Sequence, residues 1–131
     1  MESIGQGLSI DLPLPKKELH PNGGSRHHFG KIARLKKSVR QTAYYITLAA
    51  LNRAKPPQWE DAELTLHFYF GTNRNKGKRD KDNLIAWCKS TLDGVADAGI
   101  VANDRCFRVP TVIEEVDLAH PRLIVTVEAA E

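Results

Sequence analysis

Glu63-Leu64-Thr65-Leu66-His67-Phe68-Tyr69-Phe70 alternates polar and apolar residues without a break. Successive side chains of an extended chain point to opposite faces, so the pattern predicts a strand with Leu64, Leu66, Phe68 and Phe70 in a core. Glu63, Thr65, His67 and Tyr69 take the wetter face, which makes His67 a surface side chain rather than a ligand. Trp59, just ahead of the strand, reads as ordinary packing. Proline would break such a ladder, and none interrupts it.

On the N-terminal side, Ile32, Leu35, Val39, Ala43, Ile46 and Ala50 recur at three-to-four spacing and predict a helix from Lys31 to Arg53. Lys55, Pro56 and Pro57 end it, because proline lacks the backbone donor and restricts its predecessor. Its other faces carry Lys31, Arg34, Lys36, Lys37 and Arg40. These either follow a phosphate backbone or form a solvated face. Residues 8–15 alternate and then stop at prolines, as a short strand leaving a sheet does. Residues 16–30 are rich in Gly, Asn, Pro, His and Lys without period, and read as a mobile basic loop in which His20, His27 and His28 are more bystanders than ligands.

On the C-terminal side the chain passes into a second basic loop, 72–81, and then a helix from Asn83 to Ala98. Leu84, Cys88, Leu92 and Val95 form its stripe, with Asp82 as N-cap and Gly99 as stop. Trp87 lies off that stripe, as either an interface anchor or a core residue. Runs around Val112 to Val116 and Leu123 to Val127 predict closing strands at 105–117 and 122–129. The expected fold is α+β, one domain over residues 1–131, in the order βαβαββ, with a small mixed sheet packed against two long helices.

The chain has 131 residues, 41% hydrophobic and 27% charged, which suits one soluble domain and argues against wholesale disorder. Net charge is +3, with a pI near 9.0. The positives gather between Arg26 and Arg53 and again between Arg74 and Lys81, which favours an anionic partner. Cys88 and Cys106 have neither zinc-knuckle nor redox spacing, so a reducing, cytoplasmic setting is expected. No signal peptide or membrane span is expected.

Asp80 and Asp82 stand among Arg74, Lys76, Lys78, Arg79 and Lys81, with Asp104 further on. Carboxylates gather hard divalent cations and a basic loop gathers phosphates. Together they are the parts for metal-assisted phosphodiester cleavage, with Mg²⁺ or Mn²⁺ as cofactor. In an extended segment Asp80 and Asp82 point the same way while Lys81 turns aside. Lys89 and Asp93 follow Asp82 by seven and eleven residues and return to nearly its helix face. Asp93 is still ~16 Å along the axis, too far to share an ion, and is assigned to structure or to a lysine pair. A helix from Asn83 to Ala98 is about 22 Å long, and the steps from Gly99 to Asp104 recover at most roughly 17 Å. Asp104 therefore joins the other two if the helix is shortened or the return is straight; otherwise a second subunit supplies it.

The stretch from Asp80 to Asp104, Asp-Lys-Asp-Asn-Leu-Ile-Ala-Trp-Cys-Lys-Ser-Thr-Leu-Asp-Gly-Val-Ala-Asp-Ala-Gly-Ile-Val-Ala-Asn-Asp, resembles the RusA family of Holliday junction resolvases. That family shows Asp-x-Asp-Asn opening a helix, a lysine and an aspartate four apart within it, an Ala-Gly stop and a following Asp-Asp. The likeness runs from about Ile10 to Glu128 and includes the Leu-Pro-x-Pro strand end. Asn103-Asp104 replaces the Asp-Asp pair, and the step from Asp82 to Lys89 is about one helical turn longer than in the family's best-known bacterial form. The resemblance implies a RusA-like fold and a magnesium-dependent crossover junction endodeoxyribonuclease of DNA recombination and repair in a bacterial or phage-infected cell. It implies Asp80, Asp82 and Asp104 as essential acids and metal ligands, and Lys89 as the supporting lysine. Arg74, Lys76, Lys78, Arg79, Lys81, Arg34 and Lys37 are the expected DNA contacts. A four-way junction needs two matched cuts, so a two-fold homodimer is expected on branched DNA. The competing expectations are a nuclease for flaps or other branches, a non-catalytic branched-DNA-binding module, and an interaction protein without nucleic acid.

Overall fold

The computed structural model describes residues 5–21, 29–75 and 77–130. Lys76, His27 and His28 lie outside them. The fold is α+β: β1 (Gly7–Leu12), α1 (Phe29–Leu51), β2 (Ala62–Phe70), α2 (Lys81–Trp87), α3 (Lys89–Asp97), β3 (Thr111–Val116) and β4 (Arg122–Ala129). Short 3₁₀ turns occupy Lys17–Leu19 and Asp104–Cys106.

The strands form one mixed sheet in the order β1-β4-β2-β3. β4 is antiparallel to both β1 and β2, whereas β2 and β3 run parallel. The alternation of β2 places Leu64, Leu66 and Phe68 opposite Val127, Val125 and Leu123, all buried. Ile10 and Leu12 extend the last two rows across β1. This inner face is covered by α1 and α3, through Ala43, Thr47 and Leu51 of one and Leu92 and Val95 of the other. Burying each large aliphatic contributes roughly 1.5–3 kcal/mol. Thr47 is tolerated there because its hydroxyl donates to the Ala43 carbonyl at 2.7 Å.

α1 and α3 meet at Gly94. A Cβ there would lie 2.2 Å from the Arg40 carbonyl oxygen and 2.8 Å from Ala43 Cβ, so only glycine permits this approach. α1 ends at Leu51, where Asn52 and Arg53 turn into positive φ (48° and 69°), two residues before the expected end and ahead of the prolines.

The expected single helix over Asn83–Ala98 is two helices. Cys88 sits at φ −88°, ψ 4°, and its N–H bonds Ile85 rather than Leu84, so the ladder slips by one residue. At the break Trp87 faces inward. Its ring stacks on Phe68 at 6.1 Å and 8°, and its indole N–H donates to the Lys16 carbonyl at 2.9 Å. Trp87 is therefore a core residue, not an exposed anchor. The sheet accordingly packs against one long helix and two short ones. The strand expected at 105–117 begins only at Thr111, because Asn103 caps a 3₁₀ turn and Pro110 cannot donate to a ladder. The strand expected at 8–15 stops at Leu12, before Pro13. Among the described residues no helix is long and apolar enough to cross a membrane.

Candidate functional site

Asp80 is the last extended residue before α2, at φ −72° and ψ 121°. Its Oδ1 accepts from the backbone N–H of Asp82 at 2.8 Å and of Asn83 at 3.3 Å. The N-cap is therefore Asp80, not Asp82, because a cap must itself be non-helical while its side chain turns back on the first N–H groups. Lys81 and Asp82 are already helical, so the two aspartates do not flank one extended residue. Asp82 is exposed on the first turn and makes no side-chain hydrogen bond or ion pair among the described residues. Asp80 Oδ2 is likewise left over from the cap.

Asp104 belongs to a second group of charges. Lys89, the first residue of α3, places Nζ 2.6 Å from Asp93 Oδ1 and 3.1 Å from Asp104 Oδ2. Asp93 thus pairs with the lysine, as its spacing implied. Arg40 of α1 completes the group with a bidentate pair to Asp97, Nε to Oδ2 at 2.6 Å and Nη2 to Oδ1 at 2.8 Å, and stands 4.0 Å from Asp93. The Asp104 carboxyl is held below its ordinary range chiefly by its hydrogen bond from Lys89, and Lys89 is raised chiefly by Asp93. Arg40 similarly lowers Asp97. These ions stay charged at neutral pH.

Asp80 and Asp104 line different cavities. Among the described residues no three His, Cys, Asp or Glu side chains stand together as one metal cage. The cause is how far the returning chain travels. The chain returning from Gly99 is fixed to Trp59, through Val101 and the Ala102 N–H, and reaches the head of α3 at Lys89. The seven residues of α2, about 10 Å of axis, remain between there and Asp80.

The expected DNA contacts divide in the same way. Lys78 and Lys81 are exposed beside Asp80, and Arg74 is exposed in the loop. Arg79 is turned inward: its guanidinium lies 3.7 Å over the Phe70 ring, with Nη1 on Glu114 at 3.2 Å and Nη2 on the Arg74 carbonyl at 3.1 Å. It holds the loop against the sheet. Arg34 and Lys37 are exposed on α1, and Lys37 shares a cleft with Lys36, Arg40 and Lys89. Sequence reasoning missed the pairing of Arg40 with Asp97, which are 57 residues apart and share no motif. It also missed the enclosure beside Asp80, to which Lys17, His20 and Asn75 contribute.

No family model matches the chain. A protein of Xylella fastidiosa (strain Temecula1 / ATCC 700964), named "Uncharacterized protein", is 31% identical to it over 120 residues, covering 88% of this chain and 73% of the other. The two proteins belong to one family. The match to the Xylella protein spans most of this chain. That protein's name carries no activity, and the chemistry must be argued from the residues above.

Proposed function

We propose that this chain is a divalent-metal-dependent, structure-selective endodeoxyribonuclease that resolves four-way DNA junctions, as its resemblance to the RusA family implies. The observation that carries the reading is the head of α2, where, among the described residues, Asp80 Oδ2 and the Asp82 carboxylate stand unpaired beside exposed Lys78 and Lys81. Two carboxylates at one helix head suit a hard ion that keeps waters and substrate phosphate in its other positions. Asp80 and Asp82 would hold a magnesium ion, which when bound would polarise the phosphate and acidify the attacking water.

The chain's own residues supply the rest. Asp80 fixes the head of α2 through Oδ1 and offers Oδ2 outward from the cap. Lys78, Lys81 and Arg74 hold the strand by its phosphates, contacts that carry no sequence information. Lys89, kept protonated by Asp93 and Asp104, brings positive charge to where the transition state gathers negative charge. Because Asp104 is grouped with Lys89 and not with Asp80, the reading has a second protomer present its Lys89–Asp104 group to the first protomer's Asp80 and Asp82. A two-fold dimer then carries two such composite sites, one for each matched nick.

The test is incubation of the purified chain with a labelled four-way junction and the matching linear duplex, with Mg²⁺ or EDTA. Paired nicks on the junction alone, lost in Asp82→Asn while junction binding persists, support the proposal. Equal cutting of duplex redirects it to a general nuclease. The Lys89–Asp104 ion pair favours one rival, a branched-DNA binder in which that carboxylate is structural; it expects binding without cleavage under every metal tried.

A further inference from the structure

A structure-selective activity needs a feature that a continuous helix does not satisfy, and phosphate contacts by themselves carry no base information. Beside Asp80 lies a cavity of about 480 Å³, roomy enough for one nucleotide. Its floor is apolar, made by Phe70, Leu84 and Trp87, all largely buried. Its planar groups are held in place: Arg79 lies over Phe70 and is tied to Glu114 and the Arg74 carbonyl, while the His20 ring leans on Trp87 at 5.8 Å. The Trp87 bond to the Lys16 carbonyl fixes the segment that carries Lys17 and His20 over α2. The cavity is therefore lined by three separate pieces of chain, which these contacts tie at Lys16, Arg79 and Trp87.

The polar lining is selective in kind. Asn75 and Asn83 present side-chain amides, each with a donor and an acceptor, and neither makes a side-chain hydrogen bond among the described residues. Lys17 and Lys78 form no ion pair among the described residues. An apolar floor, planar walls, amides and two cations match the parts of a nucleotide: a stackable base with a hydrogen-bonding edge, and a phosphate.

Resting on the nuclease reading above, we infer that this cavity receives one unstacked nucleotide of the branched strand, seating its base against the planar groups with the edge on Asn75 and Asn83 and its phosphate on Lys17 and Lys78. A base within duplex must first leave its stack to enter, whereas one at a branch point has already lost part of that stacking. The pocket thus supplies the preference for branches, and its amides supply whatever base preference the protein has. Asp80, on the cavity's lip, places the neighbouring phosphodiester next to the carboxylate pair.

The experiment uses the full chain as Asp82→Asn, to keep the DNA intact, bound to a four-way junction carrying 5-iododeoxyuridine at the exchange point. After irradiation, adducts are mapped by peptide mass spectrometry. Adducts on His20, Phe70 or Trp87, absent from matching duplex and lowered roughly five- to tenfold by Asn75→Ala, support the pocket; that factor is the lower end of what one lost base-edge contact costs. Junction retained in a gel shift with adducts only outside the cavity, or equal adducts on duplex, overturns the inference and leaves the nuclease reading standing. No retention of junction even at low salt removes both. Thymidine monophosphate is titrated in parallel against Trp59→Phe, in which Trp87 is the remaining tryptophan. Quenching there without junction adducts means a pocket for loose nucleotides, which also overturns the assignment to a DNA strand.

Discussion

Asp80 carries two duties on two oxygens, and substitutions separate them. Asparagine caps a helix about as well as aspartate, whereas alanine forfeits the cap at about 1 kcal/mol. Asp80→Ala is therefore expected to lower the unfolding free energy measured in urea by that much, Asp80→Asn to leave it nearly unchanged, and both to abolish metal-dependent junction cleavage. Equal cleavage by Asp80→Asn and the parent chain would remove Asp80 from the site. The thiols are a second contrast at this scale. Burial pushes Cys88 up to about 12, while Cys106 is only half-buried. At mildly alkaline pH, iodoacetamide should label Cys106 in the folded protein and reach Cys88 only after unfolding, as peptide mass spectrometry can follow. The placing of Asp80 and Asp82 at the head of a helix beside basic residues was legible from the sequence. Which of them caps α2 was not, since both have the right side chain and only the backbone angles decide. Nor was the Arg40–Asp97 pair, which only the packing of α1 on α3 brings into being.

Elements were read well where one period ran uninterrupted. The eight alternating residues of 63–70 fall within β2 with the expected buried row, and β4 occupies the expected 122–129. The split of the second helix was hidden because Leu84, Cys88, Leu92 and Val95 continue a helical stripe straight across the break, and the seating of Trp87 on Phe68 is a long-range demand. The closest helix contact was likewise silent in sequence, as Gly94 reads as a mild helix-weakener until α1 is laid against it. Adding a methyl group there must part α1 from α3 or shift the Arg40 carbonyl. Gly94→Ala is expected to cost about 1–3 kcal/mol in urea unfolding, despite alanine's better helix propensity. Loosening that seam should also disturb the Arg40–Asp97 pair, so faster hydrogen exchange in α3 than in the sheet is the accompanying sign.

At the scale of the whole molecule, charge pairing sets the response to acid and assembly sets the proposed chemistry. Asp97, Asp104, Asp61, Asp117 and Glu115 all hold carboxyls below their ordinary values, through Arg40, Lys89, Arg108, Arg122 and His67 respectively. Between the folded and unfolded values the unfolded chain binds more protons, so this stabilisation is present above about pH 4 and fades as pH falls through the folded values. The urea midpoint should hold level from neutrality to about pH 5 and then drop, less steeply in Asp97→Asn, and less steeply in high salt because the pairs are exposed. Assembly has a sharper test, because Asp104 lies with Lys89 and away from Asp80. If each site takes Asp80 and Asp82 from one protomer and Asp104 from the other, then Asp82→Asn and Asp104→Asn are each inactive alone. In a mixed dimer, however, the intact Asp82 of one chain meets the intact Asp104 of its partner at one of the two sites. Random pairing after joint refolding of equal amounts makes half the dimers mixed, so about a quarter of the sites should recover. That recovery should appear as single nicks rather than paired ones, since each mixed dimer holds one working site. A mixture as inactive as its parts would place all three aspartates in one protomer and require α2 and the Lys89–Asp104 group to close on each other when DNA binds.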